Sequence, residues 1–219
     1  MIVTLALFAS LRAGGCRKNL RCQPKLMALV ADFIDPDVFT IAGVLTADEC
    51  CALIDRAESI GFDAASVRTH SGPKMMTNIR NNDRVNLDDP DLADLMWTRI
   101  ASTLPTLDDQ RPIGVDHHLR FYRYEPGQEF KRHKDGAVTN DDGCTSKLSY
   151  LIYLNGDFDG GATTFRDYVG KGETRRKIEH VVTPVAGSAL LFRHERWHEG
   201  SALTSGRKYV LRSDVFYSA

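Results

Sequence analysis

Two kinds of hydrophobic spacing divide the chain. Between residues 46 and 105 the apolar positions recur at helical intervals. Cys50, Leu53, Ile54, Ala57 and Ile60 form one stripe, the pattern of a helix with one buried face. Thr46 and Glu49 fit the S/T-x-x-E capping box, in which each side chain satisfies a free backbone N–H of the other. Gly61 is a natural stop. A second stripe, Leu92, Leu95, Met96 and Ile100, follows Asp89-Pro90, with proline at the first helical position, and Pro105 lies just beyond. Between the stripes, residues 63–88 are polar and read as loop, with Arg68, Arg80, Asn81, Asn82 and Arg84.

From about residue 117 the pattern changes. Short runs rich in β-branched and aromatic residues are separated by Gly, Asn and Asp: 118–124, 147–154, 162–165, 180–185, 188–192 and 208–217. Gly136, Asn155-Gly156, Gly160-Gly161, Gly187 and Ser205-Gly206 supply the turns. Many short strands in about a hundred residues predict a sandwich or small barrel. With helices first and strands later, the fold class is mainly β with N-terminal helices (α+β), the helices packed on one outer face. The expected organisation is an extension over residues 1–35 and one domain over 36–219, with helical support at 44–105 and a β core at 117–217.

Composition narrows the function classes. The 219 residues carry 28 Lys+Arg and 29 Asp+Glu, for a net charge of -1. That balance excludes a strongly basic nucleic-acid binder and gives no polybasic membrane signal. There is no apolar run long enough for a transmembrane helix, so neither nucleic acid nor membrane is an expected partner. The five cysteines, Cys16, Cys22, Cys50, Cys51 and Cys144, are odd in number and never spaced C-x-x-C. They predict reduced thiols rather than a disulfide framework or a zinc-thiolate site, and hence a cytoplasmic protein. Met1 to Ala9 is apolar, but its basic residues, Arg12, Arg17, Lys18 and Arg21, follow it instead of preceding it. That is the reverse of a secretory signal.

Two metal-binding signatures compete. His194-Glu195-Arg196-Trp197-His198 fits H-E-x-x-H, a zinc-peptidase motif when it lies on a helix. Here residues 188–192 read as a strand and Gly200 follows closely, so the helical context is missing. The other signature is His133-Lys134-Asp135, with His198 sixty-three residues later. On an extended segment positions i and i+2 point to one side, so His133 and Asp135 can share an ion. Two imidazoles and one carboxylate make the facial triad of non-haem Fe(II) oxygenases. Alone, H-x-D is a common chance pattern.

The surrounding text gives it specificity. Arg123-Tyr124-Glu125-Pro126-Gly127 leads into His133-Lys134-Asp135. Ser149-Tyr150-Leu151-Ile152-Tyr153-Leu154-Asn155 and Gly160-Gly161-Ala162-Thr163-Thr164-Phe165 follow. Then come Pro184, Gly187-Ser188-Ala189-Leu190-Leu191-Phe192, His198-Glu199-Gly200 and Gly206-Arg207-Lys208-Tyr209. In this order and spacing, residues 118–217 resemble the prolyl 4-hydroxylase-like branch of the Fe(II)/2-oxoglutarate-dependent dioxygenases. The resemblance implies a double-stranded β-helix (jelly-roll) core. It implies Fe(II) on His133, Asp135 and His198, and 2-oxoglutarate with its far carboxylate held by Lys208 and Tyr124. It further implies 2-oxoglutarate as co-substrate, O2 as oxidant, ascorbate as reductant, and hydroxylation of an unactivated C–H with release of succinate and CO2. The substrate class it implies is a prolyl residue in a peptide, a free amino acid or a small metabolite.

Other readings stand beside these. Lys208, Arg212 and Asp214 share a strand face, and such a face is ordinarily solvated. Tyr122 and Tyr124 suit any sheet, and Gly160-Gly161 suits any turn. His117 and His118 point to opposite faces and read as structural. Arg80 and Arg84 fit an anionic or backbone-rich substrate, or a solvated loop. Arg212 has three options: co-substrate, substrate or Asp214. A catalytically silent binding or sensing module is the alternative from another class, and a zinc metallopeptidase through His194, Glu195 and His198 the third.

Overall fold

The computed structural model describes residues 28–219 apart from 66, 70, 71, 75 and 77. The first helix, Ala47–Ile60, opens with the capping box in place. Thr46 Oγ1 accepts from the Glu49 amide at 3.2 Å, and Glu49 Oε2 accepts from the Thr46 amide at 2.8 Å. The second helix, Pro90–Ile100, is capped by Asp89, whose carboxylate accepts from Leu92 N at 2.9 Å. Arg99 ties the two together, donating to Glu49 Oε1 at 2.6 Å. The buried faces are Cys50, Leu53 and Ala57, and Ala93, Met96 and Ile100. Ile60 and Leu95, expected in the stripes, are exposed. Leu95 sits about 100° around the helix from Met96, off the buried line.

Among the described residues every strand pairing is antiparallel. A nine-stranded major sheet runs Ala31–Asp35, Val38–Ile41, Ala189–Arg193, Thr145–Tyr153, Lys208–Tyr217, His118–Tyr124, Asp83–Asp88 and Asp63–Ala64, with Pro112–Val115 also paired to Lys208–Tyr217. A four-stranded minor sheet faces it, in the order Arg176–Val182, Thr163–Val169, His198–Gly200 and Phe130–His133. Together they form the double-stranded β-helix core. One core cluster fills the space under the helices, with Met96, Ile100, Phe121, Tyr150 and Leu211. The other lies between the sheets, with Tyr122, Tyr124, Tyr153, Phe165, Phe192 and Val210. Alternation along Lys208–Tyr217 assigns its residues: Tyr209, Leu211 and Val215 join the helix-side core and Val210 the inter-sheet core.

Two expectations need correction. Residues 83–88 are not loop: Asp83–Asp88 is a strand of the major sheet, paired to His118–Tyr124. Its apolar positions are only Val85 and Leu87, which pack on the helix-side core, while Arg84 and Asn86 face a cleft. Two apolar residues among charges are too few to read as a strand. The face of Lys208, Arg212 and Asp214 is not solvated either; all three are buried. The sheet also begins earlier than residue 36, because Ala31–Asp35 is its edge strand. Residues 1–27, and with them Cys16, Cys22 and the apolar start, lie outside the described residues.

Candidate metal centre

The minor sheet brings the three triad residues together. His133 ends one strand, His198 begins its neighbour, and the two are direct cross-strand partners. Asp135 follows the first strand, its amide donating to the carbonyl of His194 at 3.0 Å. One ligand atom of each lies within 4.8 Å of the others. His133 Nε2 is 3.6 Å from Asp135 Oδ1, and His198 Nε2 is 3.7 Å from Asp135 Oδ2. The other ring nitrogens are already used. His133 Nδ1 donates to the carbonyl of Lys131 at 2.8 Å, and His198 Nδ1 to that of Arg196 at 2.9 Å. Both Nε2 lone pairs are therefore free and converge on Asp135, the tautomer a metal ligand needs. Burial pushes His198 down to about 4, so it is neutral and able to ligate at neutral pH.

Asp135 is held from behind. Burial raises its pKa, but the charge of Arg212 and the two imidazoles keep it well below the usual carboxylate range. Arg212 Nη1 donates to Asp135 Oδ1 at 2.8 Å. Ser149 Oγ donates to Asp135 Oδ2 at 2.5 Å. With that proton committed, Ser149 accepts from His194 Nδ1 at 2.9 Å, and His194 Nε2 accepts from Ser146 Oγ at 2.9 Å. The two donors fix the carboxylate rotamer, leaving its outer lone pairs toward the histidines. Three neutral-or-anionic donors with oriented lone pairs and a partnered carboxylate fit a divalent first-row metal.

His194 is thus a buried support for Ser149 and Asp135, not a ligand. The H-E-x-x-H residues do not form a helix. They span a turn between Ala189–Arg193 and His198–Gly200, and Glu195 is exposed. Glu195→Gln should therefore leave metal affinity and turnover within about twofold of wild type, since exposed polar substitutions cost little. Loss of a metal-dependent activity in that variant, read by titration and assay side by side, would restore the peptidase motif.

A cavity of about 430 Å³, including its open mouth, runs from the triad to Lys208 between the sheets. Lys208 is 3% exposed and its Nζ donates to the carbonyl of Gly161. The ammonium lies 5.2 Å from the Tyr124 ring centroid and 5.4 Å from that of Tyr153. No carboxylate forms an ion pair with it among the described residues. Burial alone pushes it down to about 7. A buried ammonium among aromatic rings, with no counter-ion among the described residues, gains free energy when an anion pairs with it. Gly161 makes the approach possible: its φ is +64°, and a Cβ there would sit 3.1 Å from Lys208 Cδ. Tyr124 is the cross-strand partner of Lys208, and burial pushes its phenol up to about 12, so it remains a neutral donor. Tyr153 and Thr163, joined hydroxyl to hydroxyl at 2.8 Å, complete this wall. Both were missed in sequence, where their runs read only as strand.

Arg80 and Arg84 line a larger open cleft on the other side of the triad, where Arg212 also reaches. His117 and His118 line its outer part and do not approach the triad's ligand atoms.

Residues 119–213 match the family model of the 2OG-Fe(II) oxygenase superfamily. A PKHD-type hydroxylase of Picosynechococcus is 31% identical over 102 residues, which are 46% of this chain and 42% of that protein. The chain spans under half the length of the curated relatives it matches. A Pseudomonas putida prolyl-4-hydroxylase structure superposes with a TM-score of 0.57 at 24% identity, covering 82% of this chain and 92% of that one. A Trichoplax adhaerens prolyl hydroxylase, solved in complex with a peptide fragment of hypoxia inducible factor, gives 0.58 at 17% identity, covering 82% and 83%. The segment that carries the triad is thus similar to 2OG-Fe(II) oxygenases in sequence, and the chain shares the fold of the solved prolyl hydroxylases.

Proposed function

We propose that this protein is an Fe(II)- and 2-oxoglutarate-dependent dioxygenase that hydroxylates an unactivated C–H, with release of succinate and CO2. The observation that carries the proposal is the pairing, across one cavity, of an oriented His-Asp-His donor set with a buried ammonium that has no counter-ion among the described residues. The metal, when bound, supplies the activation of O2 that no side chain offers. His133, Asp135 and His198 hold it, and Arg212 and Ser149 keep Asp135 in its ligating rotamer. Lys208 and Tyr124 bind the far carboxylate of 2-oxoglutarate and so set its orientation. Tyr153, Phe165 and Val210 keep the inter-sheet space dry. Arg80, Arg84 and Arg212 border the substrate side, and ascorbate serves to keep the metal ferrous. The substrate is a small molecule or a peptide, and the enzyme is cytoplasmic; the free thiols of Cys50, Cys51 and Cys144 agree with a reducing compartment. No helix among the described residues is long and apolar enough to cross a membrane.

The Lys208 assignment fixes a pH dependence. The free ammonium titrates near 7 because it is buried, and a bound carboxylate raises that value. Below about pH 7 the charge is present and affinity for 2-oxoglutarate is full. Above it, binding must take up a proton, so Kd rises about tenfold per pH unit until the raised value is reached. Anaerobic calorimetry with Mn(II), from about pH 6 to 9, should show this slope. Lys208→Arg, whose charge does not titrate, should flatten it. A flat wild-type profile contradicts the assignment.

A further inference from the structure

Among the described residues, the side chain of Arg212 donates to two carboxylates and to nothing else. Its Nη1 reaches Asp135 Oδ1 at 2.8 Å and its Nη2 reaches Asp214 Oδ1 at 3.5 Å, while its Nε is buried without a partner. Asp214 is 0% exposed, and its other oxygen, Oδ2, accepts from Arg120 Nη2. The register of the major sheet explains this grouping. Arg212 and Arg120 are direct cross-strand partners, and Asp214 is the direct partner of Ser149. Residues two apart on a strand share a face. Arg212 and Asp214 therefore stand side by side on Lys208–Tyr217, with Arg120 on one neighbouring strand and Ser149 on the other. Like charges directly opposite destabilise a sheet, and Asp214 is the carboxylate that Arg120 and Arg212 share.

We propose that Asp214 is a positioning residue for the metal centre: it shares the Arg212 guanidinium, so that Arg212 fixes Asp135 without drawing its charge away from the metal. The proposal rests on the reading of His133, Asp135 and His198 as metal ligands. A cation behind a ligating carboxylate acts in two ways. It orients the carboxylate, which favours the metal. It also repels the metal and competes for the carboxylate's charge, which disfavours it. Asp214 preserves the first effect and offsets the second. Arg120 opposes Asp214, because the charge of Asp214 that it holds is withdrawn from Arg212. Asp214 and Arg120 therefore act on metal affinity with opposite sign, although they form one ion pair. Arg84 and Asp116 border the cleft that Arg120 and Arg212 line. They are the same in every variant compared, so they do not alter that sign.

The test uses the full chain and Mn(II) alone, titrated by calorimetry without 2-oxoglutarate, beside thermal melts. Asp214→Asn keeps the shape of the side chain and removes its charge, and should raise the Mn(II) Kd about tenfold. Arg120→Gln removes the competing cation and should lower the Kd about threefold. Both substitutions break the Arg120–Asp214 pair, so both variants should melt earlier than wild type. A merely structural role would weaken metal binding in both variants, in step with the lost stability. Shifts of the same sign, or an unchanged Kd in either variant, overturn the proposal. The Arg120 side chain is 16% exposed, so Arg120→Gln is the milder change and decides the matter alone where Asp214→Asn does not fold. Wild-type protein that binds no Mn(II), or Asp135→Ala that binds it as wild type does, would instead remove the metal site on which the proposal rests. The two failures are therefore distinguishable.

Discussion

Asp135→Ala is expected to abolish turnover and to weaken Fe(II) binding by several orders of magnitude. The substitution removes the sole carboxylate of the donor set and leaves two neutral imidazoles, a poor site for a divalent ion. It also strips Arg212 of its 2.8 Å partner, leaving it with Asp214 at 3.5 Å. Removing one member of a buried pair costs about 3–5 kcal/mol, so this variant should unfold at a lower temperature as well. Asp135→Asn separates the two effects. It keeps the size and one acceptor for Arg212, and should recover part of the stability while metal affinity stays low. Calorimetric Fe(II) titration beside thermal melts decides the matter. Wild-type metal affinity in either variant would remove His133, Asp135 and His198 from the metal site.

Lys208→Ala should raise the apparent Kd for 2-oxoglutarate by about two orders of magnitude or more while leaving metal affinity unchanged. The far carboxylate would lose the one lining cation not paired with a carboxylate among the described residues, in a buried cavity, again about 3–5 kcal/mol for one partner of a buried pair. Tyr124→Phe removes only a hydroxyl and should cost about 1–3 kcal/mol. The free protein offers a second signature. Because the ammonium has no counter-ion, its removal should not lower the melting temperature of the unliganded protein as the loss of a paired charge would. Unchanged 2-oxoglutarate affinity would contradict the assignment. The neighbouring cations are committed elsewhere, Arg207 to Glu125 at 2.6 Å and Arg212 to Asp135.

Local rules made much of this molecule legible. The capping box at Thr46 and Glu49 and the Asp89-Pro90 start are signals within a few residues, and both helices begin where those signals stand. The strand at residues 208–217 is long and dense in β-branched and aromatic residues, and it appears unchanged. Its environment was not legible. Lys208, Arg212 and Asp214 alternate like a solvated face, and only the spacing from His198 pointed inward. The structure explains why the pattern misleads: this strand is central in the major sheet and covered on both sides, so the polar residues face an inter-sheet site rather than water. The support of Asp135 by Ser149, His194 and Ser146 runs through hydrogen bonds between residues 14 to 48 positions apart and has no local signature. The sandwiching of Arg80 between Tyr122 and Phe130 joins residues more than forty positions apart, and it too has no local signature.

The most direct test of the central claim is succinate formation from 2-oxoglutarate, measured with Fe(II), ascorbate and O2 across prolyl peptides, free amino acids and cell extract. The account predicts succinate from the wild-type protein, dependent on Fe(II) and enhanced by one substrate class, and none from Asp135→Ala. Succinate at equal rates from both proteins, or none from wild type with any of these substrates, would contradict it.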